Sequence, residues 1–280
     1  MFRRILKKSV FERFDKFVDV MVYDLWMKRY QLIKLSGRQP FMPDMPEKYF
    51  SQNDEDGYTI KICERFNDLL SSFVEIGVGN GLENNTILLR ANGFKGLWID
   101  ALKLPKQIRL NSKNNEFRFI QSFVTPDGVN DVIDAGLSSI ELEDFDVLSL
   151  DIDGDDFNVM DQITDKYHPK LIIAEINTKL GPTSPWNYST STSSTPGGDN
   201  FGVSFKKLTE MLHKKNYAYL AMNAATGLNA FYISLEHKNL FPELDNEIGF
   251  VPPFYRWPRH MYGNSSYSLV SSILNGTDKK

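Results

Sequence analysis

"FVEIGVGNGLENNT", residues 73–86, decides how this sequence is read. An apolar run ends at Ile76, and three glycines, Gly77, Gly79 and Gly81, follow at every second position. Glycine lets the backbone turn tightly and lets a ligand approach to van der Waals contact, where any Cβ would collide. The stretch therefore reads as a strand, a tight loop and the start of a helix. Its Gly-x-Gly-x-Gly spacing differs from the G-x-G-x-x-G expected of a nicotinamide dinucleotide loop. Glu75 lies where a carboxylate can meet an ammonium or other cationic ligand, and Glu83, at the expected helix start, would repel a pyrophosphate docked there.

Working outward, short apolar runs alternate with longer helix-period segments, as in βαβ units of a parallel sheet. The runs are Ser72 to Ile76, Gly96 to Ile99, Phe117 to Ile120, Asp146 to Leu150 and Leu171 to Ala174. After a helix expected over 203–214, residues 217–222 and 229–234 read as two strands joined by a tight turn at Ala225, Thr226 and Gly227. The fold expected is α/β, a doubly wound, mostly parallel seven-stranded sheet closed by an antiparallel last strand. In such a sheet the ligand sits beyond the carboxyl ends of the strands, where strand order reverses. Gly77, Gly79 and Gly81 fall there. Asp100 ends the second strand, 23 residues after Gly77, at the place of an acid that accepts from ribose hydroxyls.

The organisation expected is an amphipathic helical extension over 1–48, a main α/β domain over 49–236, and an irregular, aromatic, Pro-rich tail over 237–280 lying on the domain or a partner. Within the domain, 180–202 is a low-complexity Ser/Thr/Pro/Gly stretch whose segment 182–200 reads as a lid over the acceptor, against plain disorder. Trp186, Tyr188 and Trp257 could stack on a sugar or base, or simply cover the core.

Residues 1–35 carry nine Lys or Arg against four acids, a net of +5, which with −4 for the whole chain leaves −9 for the rest. Such a start could touch an anionic membrane surface. Acids interrupt its basic face, so packing on the domain or on a second subunit, as in a homo-oligomer, is the better expectation. The acidic remainder argues against nucleic acid. One cysteine, Cys63, excludes an internal disulfide framework and makes a reducing, cytoplasmic compartment the simplest expectation. No run reaches the roughly 18 apolar residues of a membrane span, and the basic start lacks the apolar core of a signal peptide.

Glu75-x-Gly77-x-Gly79-x-Gly81 resembles the first motif of class I S-adenosylmethionine-dependent methyltransferases, whose sheet has the reversed last strand described above. "YFSQNDEDGYTIKI" (49–62), "VEIGVGNGLENNTILLRANGFKGLWIDA" (74–101) and "FDVLSLDIDGDDFNVMDQI" with "HPKLIIAEIN" (145–163, 168–177) resemble the FkbM-like branch, which methylates hydroxyls of sugars and other small molecules. The likeness spans residues 49 to 235. It implies that Glu75, Gly77, Gly79 and Gly81 wall the methionine and ribose site, that Asp100 is the ribose acid, and that Ser122, after the third strand, bonds the adenine. It makes Asp151 a cofactor contact, and Gln52, Glu55 and Asp56 resemble an upstream cofactor-contacting segment, though helix capping serves them equally well. The acceptor implied is a small molecule, a sugar or sugar nucleotide.

"LDIDGDDF", residues 150–157, places Asp151, Asp153, Asp155 and Asp156 after the fourth strand. An EF-hand would need glycine sixth and glutamate twelfth, where Asp156 and Gln162 stand, so that reading fails. The order of the sheet sets Asp151 and Asp153 across from Glu175 and Asn177 of "AEIN". Carboxylates so gathered repel unless they share a proton or bind a cation. Resemblance to sugar O-methyltransferases implies Asp153 and Glu175 as ligands of Mg²⁺ or Mn²⁺, with Asp156 where a histidine base would stand; Asp156 or Asp153 would take the acceptor's proton. The plainer alternative has Asp151 touching the cofactor and the other acids capping the next helix. Two rival readings of the chain are a nicotinamide-dependent oxidoreductase, disfavoured by Glu75 and Glu83, and a binding or scaffold protein on the same fold that no longer catalyses.

Overall fold

A computed structural model describes residues 20–108, 110, 114–186, 202–245, 249–252 and 267–275. Seven strands form one sheet: β1 (Ser72–Ile76), β2 (Lys95–Asp100), β3 (Phe117–Gln121), β4 (Val147–Leu150), β5 (Leu171–Glu175), β6 (Tyr217–Met222) and β7 (Asn229–Ser234). Their order is β3-β2-β1-β4-β5-β7-β6. Strands β1 to β5 pair in parallel, while β7 runs antiparallel to both β5 and β6. The hairpin expected at 217–234 is present. Order reverses between β1 and β4, so the loops after these two strands open a crevice at the carboxyl edge.

Strands buried on both faces read as near-continuous apolar runs, and this sheet shows why. Val74, Ile76, Leu97, Ile99, Leu148, Leu150 and Ile172 face α4 (Val129–Ser138), α5 (Asp156–Lys166) and α6 (Phe205–Lys214). Phe73, Trp98, Val147, Leu171, Ile173, Phe231 and Ile233 pack in a second core with α2 (Glu55–Phe66) and α3 (Ile87–Ala91). Each fully buried aliphatic or aromatic side chain contributes about 1.5–3 kcal/mol. Helix α7 (Tyr267–Asn275) adds Val270 and Leu274 to that second core, so the tail, expected as irregular, contains a helix. Its Leu274 carbonyl accepts from Asn114 Nδ2 at 2.8 Å. The aromatic residues 254, 255 and 257 of the tail lie outside the described residues.

The N-terminal extension is laid on the domain. Helix α1, helical over 20–36 among the described residues, buries Val22, Trp26 and Tyr30. Arg29 donates from Nε to the Ala224 carbonyl at 2.6 Å and from Nη2 to Pro252 at 2.7 Å. Beyond the helix, the Phe41 amide donates to the Leu220 carbonyl at 3.1 Å, and Gln39 Oε1 accepts from the Met222 amide. The chain thus runs along the outer edge of β6. No helix among the described residues is long and apolar enough to cross a membrane.

Candidate functional site

The glycine loop leaves β1 and turns against β4 and β2. Gly77 has φ +89°, and a Cβ there would stand 1.5 Å from the Asp151 carbonyl oxygen, so only glycine lets the loop cross β4 this closely. Gly79, at φ +54°, has nothing within 4 Å of where its Cβ would be. It faces open space at the tip of the loop. Its amide donates to Asp100 Oδ2 at 2.7 Å, while Asp100 Oδ1 accepts from the Leu102 amide at 2.7 Å. Gly81, at φ +71°, turns inward instead; a Cβ there would press on Ile108, Leu104 and Trp98. Helix α3 begins only at Ile87, so Glu83 sits in the loop rather than at a helix start. Ser122 follows β3 and donates its amide to the Asp100 carbonyl at 2.8 Å, which sets it beside the end of β2.

A cleft of about 220 Å³ opens at this edge, lined by Gln52, Glu55, Glu75, Gly77, Gly79 and Asp151 together with Asn80, Glu83, Asn84, Asn85 and Asn229. Its lining includes four acids and, among the described residues, no Lys or Arg. Glu75 is buried and holds the loop in place: Oε1 accepts from the Asn85 amide at 3.0 Å and Oε2 from the Thr86 hydroxyl. Burial raises its pKa to about 7 against the pull of those donors. Asn85 and Thr86 went unremarked in the sequence reading, although both stand in the quoted stretch. Their signal was the polar "ENNT" between two apolar elements.

The segment before α2 enters the same cleft. Glu55 Oε1 accepts from Asn223 Nδ2 at 2.9 Å and from Asn229 Nδ2 at 3.3 Å. Asp54, fully buried, accepts from the Ala225 amide and Asn223 Nδ2, each at 3.1 Å. Burial, then the neighbouring Glu55, raises Asp54 to about 7. Asp56 points away and accepts from the amides of Tyr49, Phe50 and Ser51, a structural brace for the turn into the helix. Asp54, Asn223 and Asn229 are further residues that the sequence does not single out. Asp54 and Asn223 stand 169 positions apart in the chain and are joined by a direct hydrogen bond, while pairing of β5 with β7 sets Asn229 beside Glu175.

The acids after β4 and β5 converge as their strand order requires. Single oxygens of Asp151, Asp153 and Glu175 all lie within 4.8 Å of one another. Asp153 is exposed and adopts φ +52°, a conformation that turns the chain outward just past the strand. Burial, followed by Asp156, raises Asp151 to about 7; burial, followed by Asp151, lifts Glu175 well above the usual carboxylate range. The Asp151 and Glu175 carboxyls hydrogen-bond, an arrangement that needs a proton between them. Glu175 Oε2 is buried without a hydrogen-bond partner. Asp156, expected where a histidine base would stand, is tied to the turn that follows β4. Its Oδ1 accepts from the Ile152 amide at 2.9 Å and its Oδ2 from the Gly154 amide at 3.0 Å, so both oxygens are engaged by the turn that opens α5.

A second, larger hollow of about 630 Å³ flanks the end of β5, lined by Arg38, Thr178, Lys179, Gly181, Pro182, Gly249, Phe250 and Pro252. Among the described residues its lining has two cations and no acid. Thr178 is three residues beyond Glu175, hence no more than about 10 Å along the chain. The low-complexity stretch begins here. Its two described ends are tied together, since the Ser204 amide donates to the Trp186 carbonyl at 3.0 Å and Ser204 Oγ to the Ser184 carbonyl at 2.6 Å. Residues 187–201, which include most of the expected lid and Tyr188, lie outside the described residues.

This is the sheet that the methyltransferase resemblance implies. No family model and no curated protein matches the chain. Solved structures do. The plantazolicin methyltransferase BpumL, in complex with a monoazolic desmethyl analogue of plantazolicin and SAH, is similar at 14% identity and a TM-score of 0.36 over 82% of this chain and 93% of its own. PigF with SAH is similar at 12% identity and a TM-score of 0.33, over 65% and 57%. A protein from Lactococcus lactis assigned as a hemolysin is similar at 11% identity and a TM-score of 0.41, over 67% and 89%. At these scores the likenesses carry no argument of their own; the fold rests on strand order and direction.

Proposed function

We propose that this chain is an S-adenosylmethionine-dependent methyltransferase acting on a hydroxyl of a small acceptor, a sugar or sugar nucleotide. One observation carries the reading: at the point where strand order reverses, the loop tip at Gly79 is open and tied to Asp100, in a cleft of acids and amides that includes no cation among the described residues. A sulfonium and an ammonium suit such a lining, whereas a pyrophosphate would meet Glu75, Glu83 and Asp151 unneutralised. The residues fit the cofactor. Gly77 and Gly79 give its backbone approach, Asp100 and Ser122 offer acceptors and a hydroxyl to its nucleoside half, and Glu55, Glu75 and Asp151 face its positive charge. When bound, the cofactor supplies a methyl group on a positively charged sulfur.

The chain's own contribution at the acceptor is alignment and a place for the proton. Positioning alone gives effective molarities of order 10⁵ M or more. Asp153 or Asp156 takes the acceptor's proton: Asp153 is the exposed member of the group, and Asp156 keeps lone pairs beyond the two amides it accepts from. A Mg²⁺ or Mn²⁺ ion held by Asp153 and Glu175, with Asp151 as a third oxygen ligand, belongs to the same proposal. The buried, unpartnered Glu175 Oε2 supports it, and the ion would lower the pKa of the acceptor hydroxyl. The hollow with Arg38 and Lys179 suits the anionic part of a sugar nucleotide whose sugar reaches Glu175.

Calorimetric titration with S-adenosylmethionine and with NAD⁺ tests the reading. Binding of the first and not the second is expected, and methyl transfer to a panel of sugar nucleotides follows. Binding of NAD⁺ alone overturns it, and cofactor binding without turnover on any acceptor favours a scaffold instead.

A further inference from the structure

Helix α1 has two apolar faces, and only one of them is used by the domain. Val22, Trp26 and Tyr30 are buried, Trp26 to 2% exposure. Met21, Leu25, Leu32 and Leu35 stand 49%, 53%, 69% and 85% exposed on another side of the same helix. At 3.6 residues per turn the two faces lie roughly 120° apart, so a partner on one does not displace the domain from the other. A helix apolar on more than one side is normally covered on more than one side.

The spacing of the exposed face names its occupant. Met21, Leu25, Lys28, Leu32 and Leu35 follow one another at alternating steps of four and three, and the sequence carries the same alternation back through Val18, Phe14 and Phe11. Seven of these eight positions are apolar. A sustained 3.5-residue repeat drifts around a straight helix by roughly 20° per heptad, and a left-handed supercoil with a second helix absorbs that drift. A helix lying flat on lipid follows the 3.6-residue period instead and keeps cations along its flanks. Here Asp15, Asp19 and Asp24 interrupt them.

We infer that α1 pairs with α1 of a second copy of this chain, along the seam of Met21, Leu25, Lys28, Leu32 and Leu35, to form a homodimer. Lys28, held to Asp24 at 2.6 Å, is the one charged position of the seam. A parallel pair would set the two copies of Lys28 against each other. An antiparallel pair sets Leu25 of one copy opposite Lys28 of the other and Met21 opposite Leu32. Each Lys28 then lies near an Asp24 of the other copy. A single polar seam position fixes register at a cost in stability.

Sedimentation velocity on the full chain over a concentration series tests this. The wild type is expected to sediment as a concentration-dependent dimer. The exposed double variant L25E/L32E is expected as a monomer with unchanged melting temperature and cofactor affinity. K28L should tighten pairing by about tenfold, the direction expected when a seam lysine is replaced by an apolar residue. A wild type that is monomeric throughout, or a dimer that survives L25E/L32E, overturns the inference. So does monomeric chain that co-sediments with phosphatidylserine vesicles through this face.

Discussion

The Gly79 amide points at the Asp100 carboxylate, donating to Oδ2 at 2.7 Å, so the loop after β1 and the end of β2 form a single surface. A ligand that touches Asp100 must pass over Gly79, where no protein atom lies within 4 Å of a Cβ. Gly79→Val should therefore abolish S-adenosylmethionine binding while the chain still folds, at a cost of about 1–2 kcal/mol for a left-handed non-glycine residue. Gly77→Ala should instead damage the fold, because its Cβ meets the β4 backbone. Asp100→Ala should weaken binding by about 1–3 kcal/mol. Calorimetry alongside thermal melts reads all three, and full affinity in both Gly79→Val and Asp100→Ala would remove the cofactor assignment.

Stability should fall as pH rises. Asp54, Glu75 and Asp151 titrate at about 7 in the folded protein, against roughly 4 in the unfolded chain. The folded state therefore holds extra protons between these values. Their contribution is complete below about pH 4 and lost as pH rises through 7. Asp146 acts in the other direction: burial raises it, but Lys170 and the Ser71 and Ser72 donors hold it below its ordinary value, so its share is lost only in acid. The melting temperature should drop between pH 5.5 and 8, and less steeply in Asp151→Asn. An unchanged melting temperature across that interval would contradict the buried, proton-holding acids.

A cation at Asp151, Asp153 and Glu175 must displace the shared proton. Mn²⁺ affinity, followed by its paramagnetic signal, should accordingly rise with pH through about 7 and fall sharply in Glu175→Gln. Turnover undiminished in excess EDTA, with full activity in Glu175→Gln, would leave catalysis by alignment alone.

Removing the cations of the second hollow should separate binding of the acceptor from binding of the cofactor. Arg38→Gln with Lys179→Gln should raise KM for a sugar nucleotide by tenfold or more, from about 1.5–3 kcal/mol per lost charged hydrogen bond, with S-adenosylmethionine affinity kept. An unchanged KM would place the anionic group elsewhere.

The sheet was legible because most of its strands are apolar runs of the right length, β3 with its Arg118 and Gln121 being the least so. Gly77 and Asp100 were legible because glycine spacing and an acid at a strand end are local signals. The carboxylate cluster was also foreseeable, since strand order alone sets Asp151 beside Glu175. What sequence could not show is where lone pairs go. Asp156 reads as a free carboxylate, and folding commits it to the amides of Ile152 and Gly154. Glu75 reads as a ligand contact, and it also fastens Asn85 and Thr86. Asp54 and Asn223 were illegible, because the bond between them joins positions 169 apart in the chain and no local pattern marks it. The late start of α3 reflects the polar run of Asn84, Asn85 and Thr86, whose side chains bond the Val78 carbonyl, Ser149 of β4 and Glu75 of β1 rather than the helix.

The outermost strand of the sheet, β6, would otherwise present a row of vacant amides and carbonyls, the template on which sheets stack into aggregates. Phe41 and Gln39 occupy that row at Leu220 and Met222. The stretch ahead of the glycine loop is therefore a guard as well as an appendage: a chain trimmed back to residue 49 would keep the residues of its cleft and gain a sticky flank.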